Sequence, residues 1–404
     1  MSADRLPPKV GGIIIAQTLL IGYNVLVMRI NSIILENFRN YERLELDFNE
    51  SRNIIVGENA QGKTNLIEAI YLAAFARSFR TNSAADMVRF GEQQGRVNAD
   101  ITSEDIDKKI NITLRSDGRK MLQKDGKLIR KTADLLNNIV VIIFSPDDLR
   151  IIKDSPDKRR SYINREISQM RPKYYELLKT YTEALKQKNS LLKNYYKNQP
   201  ASPSRTAADD MLDIYDRQLA DAGYELIRYR KEWVEMLSIE AADIMSSISG
   251  GREQLRIEYR SSCDFITSPE GRDLIYKQLY HNRDKDIYAG FATIGPHRDD
   301  LEFYINDKDA KKYGSQGQQR TVALSLKLAE IRIARHLLDE YPVLLLDDVL
   351  SELDLDRQRF LVNQIDDVQL FITSAELNDE VIGGLQGGTL FRVENGTITK
   401  VDKY

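Results

Sequence analysis

The stretch "NIIVGENAQGKTNLIEAI", Asn53 to Ile70, decides the fold. A short apolar run stops at Gly57, and after a polar loop the chain enters a helical pattern. Within it, Gly57, Gly62, Lys63 and Thr64 meet the spacing GxxxxGK[ST] in the strand–loop–helix setting that the spacing requires. Glycines let backbone N–H groups turn inward around phosphate oxygens, Lys63 supplies a point charge for the β and γ phosphates, and Thr64 offers a hydroxyl to magnesium. A helix starting at Lys63 adds its positive end. The whole loop, Gly57, Glu58, Asn59, Ala60, Gln61, Gly62, Lys63, Thr64 and Asn65, is therefore expected to hold ATP with Mg2+.

Such a loop needs a second half, a buried strand ending in carboxylates. "YPVLLLDDVLSELDLDRQRF", Tyr341 to Phe360, supplies it: Val343 to Leu346 is apolar, and Asp347 and Asp348 follow at the C-terminal end, where open α/β sheets place ligands. Asp347 is expected to hold the magnesium through water, and Asp348 to orient or deprotonate the attacking water. Lys63, Asp347 and Asp348 form the candidate catalytic set.

A second anion-binding helix start lies at "YGSQGQQRTVALSLKLAE", Tyr313 to Glu330, where hydroxyl and amide side chains run into a helix marked by Val322, Leu326, Ala329 and Ile333. One chain has no use for two cradles on one phosphate. Two subunits set head to tail would sandwich two nucleotides, each between one Lys63 loop and the other chain's Ser315, Gln316, Gly317 and Gln318. With "SELD" (Ser351, Glu352, Asp354) just after the acidic strand, this arrangement resembles the ATP-binding-cassette ATPases, whose signature loop and D-loop work in this way.

Within that superfamily the resemblance narrows. "INSIILENFRNYERLELDF", "GENAQGKTNLIEAI", "FSPDDLRIIKDSPDKRRSYIN", "GPHRDDLEF", "SQGQQRT" and "LLLDDVLSELD" occur in the order and spacing of the bacterial RecF family, from Met28 to about residue 375. The resemblance implies a P-loop ABC-type α/β head built from both chain ends with an inserted helical arm. It implies ATP-driven homodimerisation, binding of double-stranded and gapped DNA, and work with RecR and RecO in loading RecA during gap repair and fork recovery. It places Arg39 near the adenine, where a cationic face would stack. Departures are Asn164 where an Asp is usual, and Lys153 and Asp154 where small residues are common, which bear on local turn geometry. The switch histidine of many transporter ATPases has no counterpart in "FITSAE", where Thr373 and Ser374 stand, so slow hydrolysis is expected.

Between the two halves the charge is segregated. Arg159 to Pro200 carries ten Lys or Arg against three acidic residues in a chain whose total is −3. Lys186, Lys188 and Lys193 are the candidate DNA contacts, and the interleaved Tyr174, Tyr175, Tyr181, Tyr195 and Tyr196 suggest stacking. A solvated helix face is the plain alternative. "KNQPASPSRTAA" breaks the pattern, and a second long helical pattern runs from Ala207 to about Ser249, so a short antiparallel helical hairpin is expected, without the length of an SMC coiled coil. "GFATIGPHRDDLEFYIN" reads as two strands around a Gly295-Pro296 turn, with His297 and Arg298 either structural or in contact with ligand. The expected divisions are an ATPase lobe over 28–157, the arm over 158–283 and a second ATPase lobe over 284–404.

Composition, at 404 residues with 42% hydrophobic and 29% charged, is that of a globular protein. One cysteine and three scattered histidines leave no disulfide framework or zinc spacing, as in a cytoplasmic protein without a stable membrane partner. "GGIIIAQTLLIGYNVLV", Gly11 to Val27, reads either as a membrane-anchor-like run or as an extension outside the fold if Met28 is the start; residues 1–27 are set aside on the second reading. The competing class is the nucleotide-binding subunit of a membrane transporter.

Overall fold

The computed structural model describes residues 26–195, 204–375, 387–394 and 396–401. Its centre is a six-stranded sheet in the order Thr397–Val401, Thr389–Glu394, Arg52–Val56, Leu370–Ser374, Val343–Asp347 and Val141–Phe144. All neighbours are parallel except the edge strand Thr397–Val401. Ile54, Ile55, Leu344 to Leu346 and Phe371 are buried, as expected of strands covered on both faces, and hence the sequence shows runs rather than alternation.

A second sheet, wholly antiparallel, runs Tyr41–Asp47, Arg29–Phe38, Gln94–Ser103, Ile106–Arg115, Lys120–Lys124 and Lys127–Ile129. The early alternating segments are its first two strands. Helix α1 (Lys63–Phe75) lies between the sheets and touches strands of both. That position explains why its residues from Leu66 to Phe75 are apolar nearly all round and buried.

Helices α2 (Pro156–Met170), α3 (Pro172–Asn194) and α4 (Ser204–Ser249) form the arm, with α3 and α4 packed as the expected hairpin. After the strand Leu255–Arg260 come α5 (Gly271–His281) and α6 (Arg283–Ala289), then the strand Asp300–Ile305 and the short α7 (Ala310–Tyr313). Helix α8 (Gln316–Leu338) follows, and α9 (Leu355–Asn363) closes the acidic-strand segment. The arm is not detached from the head, because α4 packs along α8. The expected boundaries at 158 and 283 fall inside α2 and at the first residue of α6.

Three expectations change here. Residues 291–294 are not a strand: Thr293 is drawn to Asp286 through its backbone N–H (2.9 Å) and hydroxyl (2.8 Å), and Asn189 takes the Ala292 N–H (2.8 Å), so no ladder forms. Asn164 sits within α2 rather than a turn, its Oδ1 accepting from the buried Arg230 (2.9 Å) and from the Tyr174 hydroxyl (2.5 Å). Leu26–Val27, set aside with the N-terminal extension, pair in parallel with Glu340–Tyr341. The rest of that segment lies outside the described residues, among which no helix is long and apolar enough to cross a membrane.

Candidate nucleotide site

Parallel strands bring the C-terminal ends of Arg52–Val56, Leu370–Ser374 and Val343–Asp347 to one edge of the sheet, and the site is built there. The Gly57–Gly62 loop leaves the first of them. A β-carbon on Gly57 would come within 2.3 Å of the Val393 carbonyl oxygen, and Gly62, at φ 124°, is pressed against Asn40 and Tyr41. Tyr41 donates its hydroxyl to the Gly62 carbonyl (2.9 Å) and Asn40 its amide to Gln61 (3.0 Å), so the first hairpin braces the loop from behind.

Lys63 is 6% exposed, and its Nζ donates to the carbonyls of Gly57 (2.6 Å) and Glu58 (2.9 Å). Burial lowers its pKa while Asp348 and Asp347 act in the opposite direction. A cavity of about 380 Å3 opens beside it, lined by Asn59, Ala60, Gly62, Thr64, Asn65 and Asp348, with Arg80 at its wall. Thr64 Oγ1 donates to Asp347 Oδ1 at 3.1 Å. Burial pushes the Asp347 carboxyl up, against hydrogen bonds from Thr373 and Thr64 that pull it down. A hydroxyl and a buried carboxylate on one spot are the hard oxygen donors that Mg2+ takes, and the residues present fit it.

Thr373, on the strand between the P-loop strand and the acidic strand, binds both aspartates. Its hydroxyl donates to Asp347 Oδ1 (2.8 Å) and accepts from the Asp348 N–H (3.0 Å). Asp348 itself takes φ 55°. This hydroxyl thus orients the Asp347 carboxylate and holds the backbone of Asp348. Arg80, too, escapes sequence patterns, because the loop after α1 carries no spacing rule. It donates to Asn65 Oδ1 at 2.8 Å.

Arg39 reaches a neighbouring cavity of about 600 Å3 that shares Asn65 and Arg80 with the first. Its edge is committed: Nε and Nη2 form a fork onto Glu68 (2.8 and 2.6 Å), whose side chain is 0% exposed. Any contact with a base is left to the guanidinium face.

The turn Ser315 to Gln318 caps α8 as a capping box. Ser315 Oγ accepts from the Gln318 N–H (3.2 Å), and Gln318 Oε1 from the Ser315 N–H (2.9 Å). Ser315 and Gln316 are exposed, Gly317 and Gln318 half-buried, and none lines the chain's own phosphate cavity. Ser351 Oγ donates to the Asp348 carbonyl (2.8 Å), Glu352 pairs with Arg320 (2.9 Å), and Asp354 caps α9.

The DNA candidates divide. Lys186 and Lys193 are exposed on α3. Lys188 is not a surface residue: its side chain is 0% exposed and lies 2.8 Å from both Asp216 and Asp286. Tyr174, Tyr181 and Tyr195 are likewise buried, which removes them as a stacking platform, and Tyr196 lies outside the described residues. The sequence does carry the signal. Tyr181, Ala184, Lys188, Leu192 and Tyr195 follow one another at three, four, four and three residues, a single buried stripe. His297 is structural, bonded to the Tyr181 hydroxyl (2.7 Å) and the Ala292 carbonyl (3.0 Å). Arg298 donates to that same carbonyl.

Residues 29–385 match the family model described as "RecF/RecN/SMC N terminal domain". The protein described as "DNA replication and repair protein RecF" of Clostridioides difficile (strain 630) is 39% identical over 379 residues, 93% of this chain and 99% of its own. The chain belongs to the RecF family. Its RecF relative from Clostridium perfringens (strain SM101 / Type A) is 40% identical over 371 residues, 92% of this chain and 99% of its own. The solved "Structure of the recombination mediator protein RecF-ATP in RecFOR pathway" superposes with a TM-score of 0.85 at 34% identity, covering 94% of this chain and 99% of that one. An Smc head domain derived from Pyrococcus furiosus shares the fold, with a TM-score of 0.52 at 16% identity. The P-loop ABC-type head is therefore the fold of this RecF-family chain. The transporter alternative finds no support among these relatives.

Proposed function

We propose that this chain is an ATP-dependent DNA-binding protein of recombinational repair and replication-fork recovery. ATP with Mg2+ occupies the cavity between the Gly57–Asn65 loop and Asp347, where Lys63 and Arg80 meet its phosphates and Thr64 and Asp347 its metal. Bound there, it supplies an anhydride whose hydrolysis Asp348 promotes by orienting water, and slow turnover follows from a site without a switch histidine. The nucleoside end extends into the cavity beside Arg39. Two copies close head to tail, and each Ser315–Gln318 turn meets the partner's nucleotide, with Ser351, Glu352 and Asp354 alongside. DNA, double-stranded or at single-strand gaps, lies against exposed lysines that include Lys186 and Lys193. By likeness to its relatives, the protein acts in the cytoplasm with RecR and RecO to help load RecA.

The observation that carries this reading is the capped, exposed Ser315 turn that lines no part of its own chain's phosphate cavity. Sedimentation with and without ATP and gapped duplex tests it. The expected outcome is a monomer without ATP, a dimer with it, and a larger species when gapped DNA is added. A monomer under every condition overturns the reading.

A further inference from the structure

Arg357, on the first turn of α9, makes contacts that the nucleotide site does not account for. Its Nη2 donates to the Gly317 carbonyl at 3.1 Å and its Nε to Thr321 Oγ1 at 2.8 Å. Nη1 pairs with Asp354, which also caps α9 by accepting from the Arg357 N–H (3.0 Å). Thr321 in turn donates its hydroxyl to the Gly317 carbonyl (3.0 Å). One guanidinium therefore ties the first turn of α8 to the segment after the acidic strand. A second tie runs from Arg320 to Glu352 at 2.9 Å. The other end of that segment is joined to the backbone of the acidic pair, because Ser351 Oγ donates to the Asp348 carbonyl.

We infer that Arg357 is a positioning residue for the trans site: it sets where the Ser315–Gln318 turn of its own chain stands, and so acts on the nucleotide held by the partner. This rests on the head-to-tail reading above. A planar fork with its donors fixed in one plane defines an orientation that a lysine ammonium does not, so register as well as proximity is specified. The side chain is 22% exposed, which lets it act without a buried unpaired charge when the turn shifts.

Mixed dimers separate this role from a general structural one. Arg357→Ala is expected to bind ATP through its intact Lys63 loop with unchanged affinity, to dimerise with ATP about 10-fold or more weakly, and to lose most ATPase activity, the scale of one charge-assisted contact. Mixed with Lys63→Met, it should recover activity: one site pairs the intact loop of the first chain with the intact turn of the second. Mixed with Ser315→Arg, it should recover none, since both turns are then defective. Arg357→Lys should restore little of the dimerisation.

The opposite pattern, recovery with Ser315→Arg and none with Lys63→Met, assigns Arg357 to its own chain's nucleotide loop and overturns the inference. Dimerisation of Arg357→Ala like the wild type does the same. If Ser315→Arg itself dimerises normally, the head-to-tail reading fails instead, and the two failures are thus distinguished. Thr321→Val, which removes the Nε acceptor without touching a charge, takes the same mixing test should Arg357→Ala not fold. Its expected pattern is the same, weaker in degree.

Discussion

Thr64 Oγ1 and Asp347 Oδ1 stand 3.1 Å apart although 283 residues separate them in the chain. One begins a helix and the other ends a strand, and the sheet order places Leu370–Ser374 between them, so their meeting depends on Thr373 holding the carboxylate from that middle strand. The sequence halves of the site are thus joined by a residue that belongs to neither motif.

Removing the cation and removing the second carboxylate are expected to have different consequences. Lys63→Met takes away the only ammonium among the described residues that line the phosphate cavity, and abolishes ATP binding in equilibrium titration. Asp348→Asn keeps the shape of the cavity and leaves binding nearly intact, but single-turnover hydrolysis slows by about a hundredfold or more, the scale of a positioned general base. Equal loss of binding in both variants would remove Asp348 from that role.

Lysines of α3 should separate by burial. Lys186→Glu with Lys193→Glu is expected to leave the unfolding midpoint near that of the wild type and to flatten the salt dependence of duplex DNA binding, by about 0.9 in the logarithmic slope for each phosphate no longer neutralised. Lys188→Ala leaves Asp216 and Asp286 buried beside an empty place and should cost about 3–5 kcal/mol of stability in denaturant titration. An unchanged salt slope in the double variant moves the DNA surface off this helix.

Arg39→Ala tests whether the Glu68 fork or a base contact dominates. Glu68 is left fully buried with the half-exposed Arg80 at 3.4 Å, so the main expected effect is a fall in stability of about 3 kcal/mol, with ATP affinity reduced no more than about 10-fold. Affinity loss with stability intact, seen by titration and calorimetry on one preparation, would reverse the ranking.

How much is legible in the sequence follows from which constraints are local. The phosphate loop, the acidic strand and the capped turn are written in spacing, because glycine placement, an apolar run and a capping box act within a few residues. Thr373, Arg80 and Arg357 acquire their roles through partners more than ten residues away along the chain, which no short pattern encodes. Lys188 misleads for a different reason. Charge counted along the chain groups it with its exposed neighbours, whereas burial runs along the helix face, and the same residues viewed at helical spacing mark it as interior.

Beneath α8 lies a buried group whose titration gives the last prediction. Lys327 Nζ lies 3.2 Å from Glu330, 3.4 Å from Asp148 and 3.9 Å from Glu166, while Arg165 pairs with Glu166 (2.6 Å) and Asp148 (3.5 Å). Three carboxyls thus share two cations. Burial, then the Glu166 charge, push the Glu330 carboxyl from 4.5 up to about 8, and the Tyr162 hydroxyl donates to it at 2.6 Å. Below about pH 4.5 both folded and unfolded chains carry the proton, so Glu330 contributes no pH dependence there. Between 4.5 and 8 the unfolded chain has lost the proton and the folded one retains it, and stability falls as pH rises through this window. Asp148 acts elsewhere: burial raises its pKa but Lys327 and Arg165 outweigh that, so its contribution is lost only in acid, below the window. Glu330→Gln keeps an acceptor for Tyr162 and removes the titration. Denaturant midpoints of the wild type and Glu330→Gln, taken at half-unit steps from pH 5 to 8.5, should therefore diverge steadily in favour of the variant until about pH 8 and run parallel above it. Parallel curves throughout would show that Glu330 ionises normally and that the cluster carries its charge in another way.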